Sequence, residues 1–234
     1  MWKLIRLEWE KNSIRKYILG AVILIALLAL FMFAQCYWGI ANDTDTGVPD
    51  SAPGMDNMAV QIELFTNLSF LVFATVMLSS FIISAYKNRT ENLMFCYPIK
   101  RQKIIISQML AVWIFCTAAL FSGKMIIYML LEASSGLKAD FPLGYDMLSI
   151  GFYVQIILKT ILTVTLGFIP LCIGRLMNSS KAAIISSFLL FVVMNGTVGD
   201  FSMKNSLVLP IILFTISLLC AFFTVCNIEK KDSK

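Results

Sequence analysis

The stretch KNRTENLMFCYPIKRQK, Lys87 to Lys103, is a charged island between two long apolar segments. Five of its residues are Lys or Arg, and loops rich in those residues stay on the cytoplasmic side of a membrane. Its middle, Leu93-Met94-Phe95-Cys96-Tyr97-Pro98-Ile99, is nonetheless apolar and aromatic. A solvated loop gains nothing from such a knob; a loop that docks into a cytosolic partner does. Read as such a loop, the island makes membrane spans of its two apolar flanks.

Composition agrees. Of 234 residues, 59% are hydrophobic and 14% charged, with a mean hydropathy of +0.81. Soluble domains keep a charged share nearer a quarter. The chain has no histidine, which removes His-based acid–base and nucleophilic catalysis and His-ligated metal sites. The nearest approach to a phosphate-binding loop, Ser122-Gly123-Lys124-Met125, has Ala118 where the first glycine belongs and no Ser or Thr after the lysine. No catalytic or metal-ligating set emerges. The six cysteines show no C-x-x-C spacing and read as small apolar residues.

A bilayer core needs roughly 20 apolar residues per helix. Six segments qualify: 17–40, 61–86, 104–131, 148–174, 182–196 and 207–227. The first is preceded by charges but followed by no small-residue cleavage site, so it reads as an uncleaved anchor. Met1–Lys16 carries five Lys or Arg, Lys87–Lys103 five, Arg175–Lys181 two and Glu229–Lys234 three, fifteen of the nineteen. The opposite loops hold only Lys138 and Lys204 and carry seven aspartates. Positive charge stays inside, so both termini are expected in the cytoplasm and the protein in the cell membrane. The expected fold is an all-α polytopic membrane protein with six transmembrane helices, forming a single domain over 1–234. Residues 1–16 should form a short interfacial helix, since Trp2, Ile5 and Trp9 share a narrow arc and tryptophan favours the interface.

Within the island Thr90 can cap a short helix, with Glu91 in its first turn. Leu93, Met94, Phe95 and Tyr97 supply an apolar face, and Pro98 stops the helix. Lys100, Arg101 and Lys103 anchor the head of the third span. The pattern Glu91, Leu93, Tyr97, Pro98, Ile99, Arg101 resembles the cytosolic loop of the ATP-binding-cassette (ABC) type-2 permeases. The likeness extends in architecture to the basic N-terminal helix with a Glu near its end, the span count, the length and the missing nucleotide motif. It departs in a short Glu-to-Pro interval and in Gln108, where many members have lysine.

That resemblance implies a permease subunit pairing with a second copy, as a homodimer, or with a paralogue, each half resting on a cytosolic ABC ATPase. The coupling helix between spans two and three, Glu91 to Pro98 with Ile99 and Arg101, would dock on the ATPase. ATP and Mg would belong to that partner, with no cofactor in this chain. Relatives of this compact kind are linked to export of, or immunity against, antimicrobial peptides.

Charge within a span is costly and often functional. Lys159, in span four, is the candidate for touching cargo or a partner carboxylate. Asn67, Ser69 and Thr75 in span two are candidates for lining a pathway, although helix–helix bonding is the commoner use of such residues. Lys124 is expected to snorkel at the outer surface and Glu63 to sit at the interface.

The sequence therefore favours a permease moving amphipathic or hydrophobic cargo, with lipid and an ATPase as partners and no nucleic acid. An ATP-independent channel or carrier, or a non-transporting scaffold, is the alternative. The missing histidines, and the absence of an aspartate pair within spans, disfavour an intramembrane enzyme.

Overall fold

The computed structural model describes residues 2–11, 14–37, 58–83, 101–135, 150–177, 179–195, 197–198, 201–202 and 208–231. These form eight α-helices. α1 spans Trp2–Lys11, α2 Ile14–Tyr37 and α3 Met58–Leu78, which runs on into a π-helical turn at Ser79–Ile83. α4 spans Arg101–Ser135, α5 Ile150–Leu166, α6 Phe168–Leu176, α7 Ser180–Asn195 and α8 Val208–Lys231. A two-residue antiparallel ladder, Thr197–Val198 (β1) with Phe201–Ser202 (β2), follows α7.

Four helical stretches are long and apolar enough to cross a membrane: Ile14–Gln35, Ala59–Ile82, Lys103–Ser134 and Ile150–Leu176. Ser180–Asn195 and Pro210–Val225 are apolar but shorter. Sixteen residues of helix cover about 24 Å at 1.5 Å per residue, less than the roughly 30 Å of a hydrocarbon core. The protein is thus an all-helical chain of membrane type.

α3 and α4 form the centre of the bundle. α3 packs against α2, α4, α5, α6 and α7, and α4 against α1, α2, α3, α5 and α8. α2 lies outermost, exposing Leu19, Val22, Leu27 and Leu30, as a helix does whose second face meets lipid. The largest core cluster joins Phe70, Ala74 and Met77 of α3 to Val112, Cys116 and Leu120 of α4 and Val164 of α5. A second, smaller cluster joins Ala29 and Met32 of α2, Ile62 of α3, Ile127, Tyr128 and Leu131 of α4, and Ile156 of α5. Cys116, Cys172 and Cys220 are free thiols, the first two buried.

The fourth expected span is not one continuous helix. It breaks at Gly167, three residues before Pro170. Pro170 has no N–H, so the Leu166 carbonyl loses its usual partner four residues on. The Gly167 N–H turns back to the Val164 carbonyl at 3.1 Å. A Cβ at position 167 would sit 3.1 Å from that same carbonyl oxygen, so glycine lets the chain tighten there.

At Gly123 a Cβ would meet Ile25 Cγ1 at 2.9 Å, so the lack of a side chain here lets Ile25 of α2 pack directly on the backbone of α4. Small residues permit such approach in membrane helices. Gly123→Val should cost about 1–3 kcal/mol through overpacking. It would be read as a lowered thermal midpoint in detergent, and a midpoint equal to wild type would show that α2 packs loosely.

α1 lies against α4. Ile5 and Glu8 are buried, Glu8 accepts a hydrogen bond from Gln108 Nε2 at 3.3 Å, and Trp9 Nε1 donates to the Ala111 carbonyl at 3.2 Å. Trp2 stays exposed and meets Trp9 edge-on at 6.3 Å. The arc of Trp2, Ile5 and Trp9 read from the sequence therefore divides, with the buried face shifted onto Ile5, Glu8 and Trp9.

Candidate functional site

The site is built from charges that three central helices bring to one level. Glu63 is five residues into α3, Lys159 nine residues into α5, and Lys124 eleven residues from the end of α4. α3, α4 and α5 all pack against one another. Counted from the end of the bundle that carries Met58, Ser135 and Ile150, the three residues lie between about 8 and 17 Å deep at 1.5 Å per residue.

Lys159 Nζ forms an ion pair and hydrogen bond with Glu63 Oε2. The pair is partly open, the side chains being 48% and 21% exposed. Lys124 is different. It is 0% exposed, lies within electrostatic reach of both Glu63 and Lys159, and its Nζ has no hydrogen-bond partner among the described residues. Lys124 therefore does not snorkel. Its side chain turns inward, where α3 and α5 supply a charge of each sign.

Other polar atoms at this level are likewise unpartnered. Asn67, one turn beyond Glu63 on the same face of α3, has a buried, unbonded Oδ1. Thr160, next to Lys159, has a buried, unbonded Oγ1. Buried polar atoms are nearly always hydrogen-bonded, and three of the five without a partner among the described residues lie here, the others being Gln35 Oε1 on α2 and Ser217 Oγ on α8. The hydroxyls around them are satisfied locally: Thr66 bonds the Ile62 carbonyl at 2.6 Å and Thr163 the Lys159 carbonyl at 2.8 Å.

Apolar clusters flank the layer. Toward the near end, Ile62, Tyr128, Leu131 and Ile156 come together with Met32, and Tyr128 and Phe152 meet edge-on at 5.0 Å. Toward the far end lies the large core of Phe70, Leu120 and Val164. A separate groove of about 610 Å³ between α2 and α4 is lined by Val22, Ile25, Ala26, Ala29, Leu30, Phe33, Ile126 and Leu130, and offers a charged group nothing to bind.

Of the residues singled out from the sequence, Lys159 and Asn67 belong to this layer. Ser69 is half-buried on α3. Thr75 is buried, and its hydroxyl bonds the Leu71 carbonyl at 2.8 Å, a purely intrahelical use. Glu91, Leu93, Met94, Phe95, Tyr97, Pro98 and Ile99 lie outside the described residues, and Arg101 begins α4. Lys124 and Glu63 are the members that reading one span at a time misses. Their signal was available: charges of opposite sign within about 17 Å of the same end of neighbouring spans. No group of three metal-ligating side chains occurs among the described residues.

The geometry defines an all-helical protein of membrane type with a charged layer inside its apolar bundle. The chain is similar to an uncharacterized protein of Bacillus subtilis (strain 168), YcbO, at 25% identity over 244 residues, covering 98% of this chain and 99% of the relative. No family model and no solved structure matches it.

Proposed function

We propose that the chain is the membrane permease subunit of an ATP-driven exporter, moving an amphipathic or hydrophobic cargo when coupled to a separate ATPase. The observation that carries this reading is the layer of Glu63, Lys124 and Lys159 within an apolar helical core. Charge at such depth costs several kcal/mol at least, and a scaffold has no use for it. A permease does: a polar station between two apolar clusters is the arrangement a passing solute needs.

The six apolar helices, four long and two short, act as six spans. The positive charge bias puts both termini in the cytoplasm, with α1 along the inner leaflet. The coupling then falls to the loop of Lys87 to Lys103, whose apolar residues and likeness to the type-2 permeases point to an ATPase groove. The chain lacks a nucleotide motif of its own, so the energy comes from that partner, and two permease copies complete the translocation path.

The test is co-purification. An ABC ATPase should accompany the wild-type chain from its native membrane, and at least tenfold less should accompany Phe95→Asp or Tyr97→Asp, the loss expected when a buried aromatic anchor becomes a charge. Equal recovery from all three would count strongly against docking through this loop. Cargo movement in vesicles without the ATPase would mark an ATP-independent carrier instead.

A further inference from the structure

We infer that the layer of Lys124, Lys159 and Glu63 is a binding site for the single oxyanion of a membrane-borne amphiphile, a carboxylate or a phosphodiester, with Lys124 as its principal contact.

The argument starts from charge. With all three groups ionised the layer carries one net positive charge. Glu63 is committed to Lys159, and Lys124 has no hydrogen-bond partner while being fully buried. An ammonium has three N–H donors and no acceptor, and an unpaired one inside an apolar bundle is far more costly than a paired one. One negative charge brought to Lys124 removes that cost and neutralises the layer.

Hydrogen-bonding capacity points the same way. Thr160 Oγ1 and Asn67 Oδ1, also buried and without partners among the described residues, leave a donor on α5 and an acceptor on α3, the two helices that pack against α4 and Lys124. A carboxylate or phosphate ester carrying a polar neighbour can use such a set. A bare inorganic ion would leave the acceptor empty.

The surroundings restrict the rest of the ligand. Apolar clusters lie on both sides of the layer, and it is partly open at the Glu63–Lys159 pair. An anion that goes on from that pair to Lys124, which is fully buried, gives up its hydration shell, whereas an anion on an apolar body regains part of that cost through burial against the flanking clusters. The ligand is therefore an anionic amphiphile drawn from the bilayer. The permease reading supplies the purpose of this site, and its direct test involves neither the ATPase nor transport.

The full chain would be placed in phosphatidylcholine nanodiscs and titrated with oleic acid, with phosphatidylglycerol and with oleyl alcohol. Thermal midpoints and the adducts retained in native mass spectrometry would be measured. Wild type should prefer an anionic amphiphile over the alcohol by about tenfold or more, as charge-assisted hydrogen bonds allow. The response to oleic acid against phosphatidylglycerol tells which oxyanion the site takes. Lys124→Met should unfold at a higher temperature than wild type without ligand and lose the preference, and Lys124→Arg should keep it. If Lys124→Met does not accumulate, Thr160→Val carries the test with a several-fold weaker preference. No preference in wild type, or an unchanged one in Lys124→Met, overturns the site. Since ATPase co-purification is read separately, either proposal can fail alone.

Discussion

Glu63→Gln is expected to destabilise the protein by about 1–2 kcal/mol, more than an exposed ion pair contributes, since the buried Lys124 also loses the carboxylate beside it, and less than a fully buried pair would cost, since Glu63 and Lys159 are partly open. The amide keeps the shape of the side chain and removes a carboxylate that interacts with both Lys124 and Lys159. The two ammoniums on α4 and α5 then lose the negative charge they share. Lys159→Met should cost much less. It leaves Glu63 beside Lys124, which can take over the carboxylate, and the layer becomes neutral. The double variant Glu63→Gln with Lys159→Met should recover part of the loss, because one of the two like charges is gone. Denaturation midpoints of the four proteins in one detergent measure this cycle. The diagnostic feature is the asymmetry between Glu63→Gln and Lys159→Met. Equal costs would show a simple pair in which Lys124 takes no part, and no cost for either would show a pair held by solvent.

How much of this was legible in the sequence depends on the length scale of each feature. Apolar runs report helices directly, because burial of a span is a property of consecutive residues. So the helices that carry the long spans were legible, and their ends were misplaced by a few residues where polar side chains taper into loops. The break falls at Gly167, three residues before Pro170. The proline removes the donor, but the glycine is where the chain can respond. The layer of charge was harder. Lys124 read alone lies far enough along its span to reach the surface, and Glu63 lies near the start of its own. Only packing shows that Lys124 turns inward, because the sequence does not state which face of α4 meets α3 and α5. Glu8 has the same history: on α1 it is one charge of a basic segment, whereas in the fold it is buried against Gln108. That contact gives a physical sense to a departure from the type-2 pattern. A glutamine can donate to Glu8 without bringing a second charge into the α1–α4 contact, and Gln108→Lys would convert the hydrogen bond into a buried ion pair.

The two halves of the proposed machine sit at opposite ends of α3. Glu63 is near its start, and the π-helical turn Ser79–Ile83 is where it runs toward residues 84–100. α3 packs on five other helices, so a displacement at one end reaches the charged layer through a rigid element.

Deleting Ser80 should leave the fold as stable as wild type or more so, retain the ATPase, and reduce ATP-driven transport by roughly tenfold, the size of change that follows when a conformational step is impaired while binding is spared. A π-helical turn is an α-helix carrying one extra residue; removing that residue lets the regular ladder of α3 run on through the turn. Ser80 is the exposed residue of the turn, while Ser79, Phe81 and Ile82 are buried. Its deletion therefore spares the core and costs one side-chain bond, from Tyr17 Oη to Ser80 Oγ at 2.8 Å. Tyr17 also meets Phe81 edge-on at 5.4 Å, so the start of α2 remains held to α3 after the deletion. Irregular turns of this kind are less favourable than the α-helix they interrupt and persist where a hinge is used. Here the hinge would lie between the docking loop and the rigid span, and it would let force on the loop tilt α3 without unwinding it. Straightening the helix removes that freedom at the cost of the Tyr17–Ser80 bond alone among the side-chain bonds described. Unchanged transport by the deletion variant would show that the turn is a packing adjustment around Phe81. Loss of the ATPase from the complex would show that the turn shapes the docking loop itself.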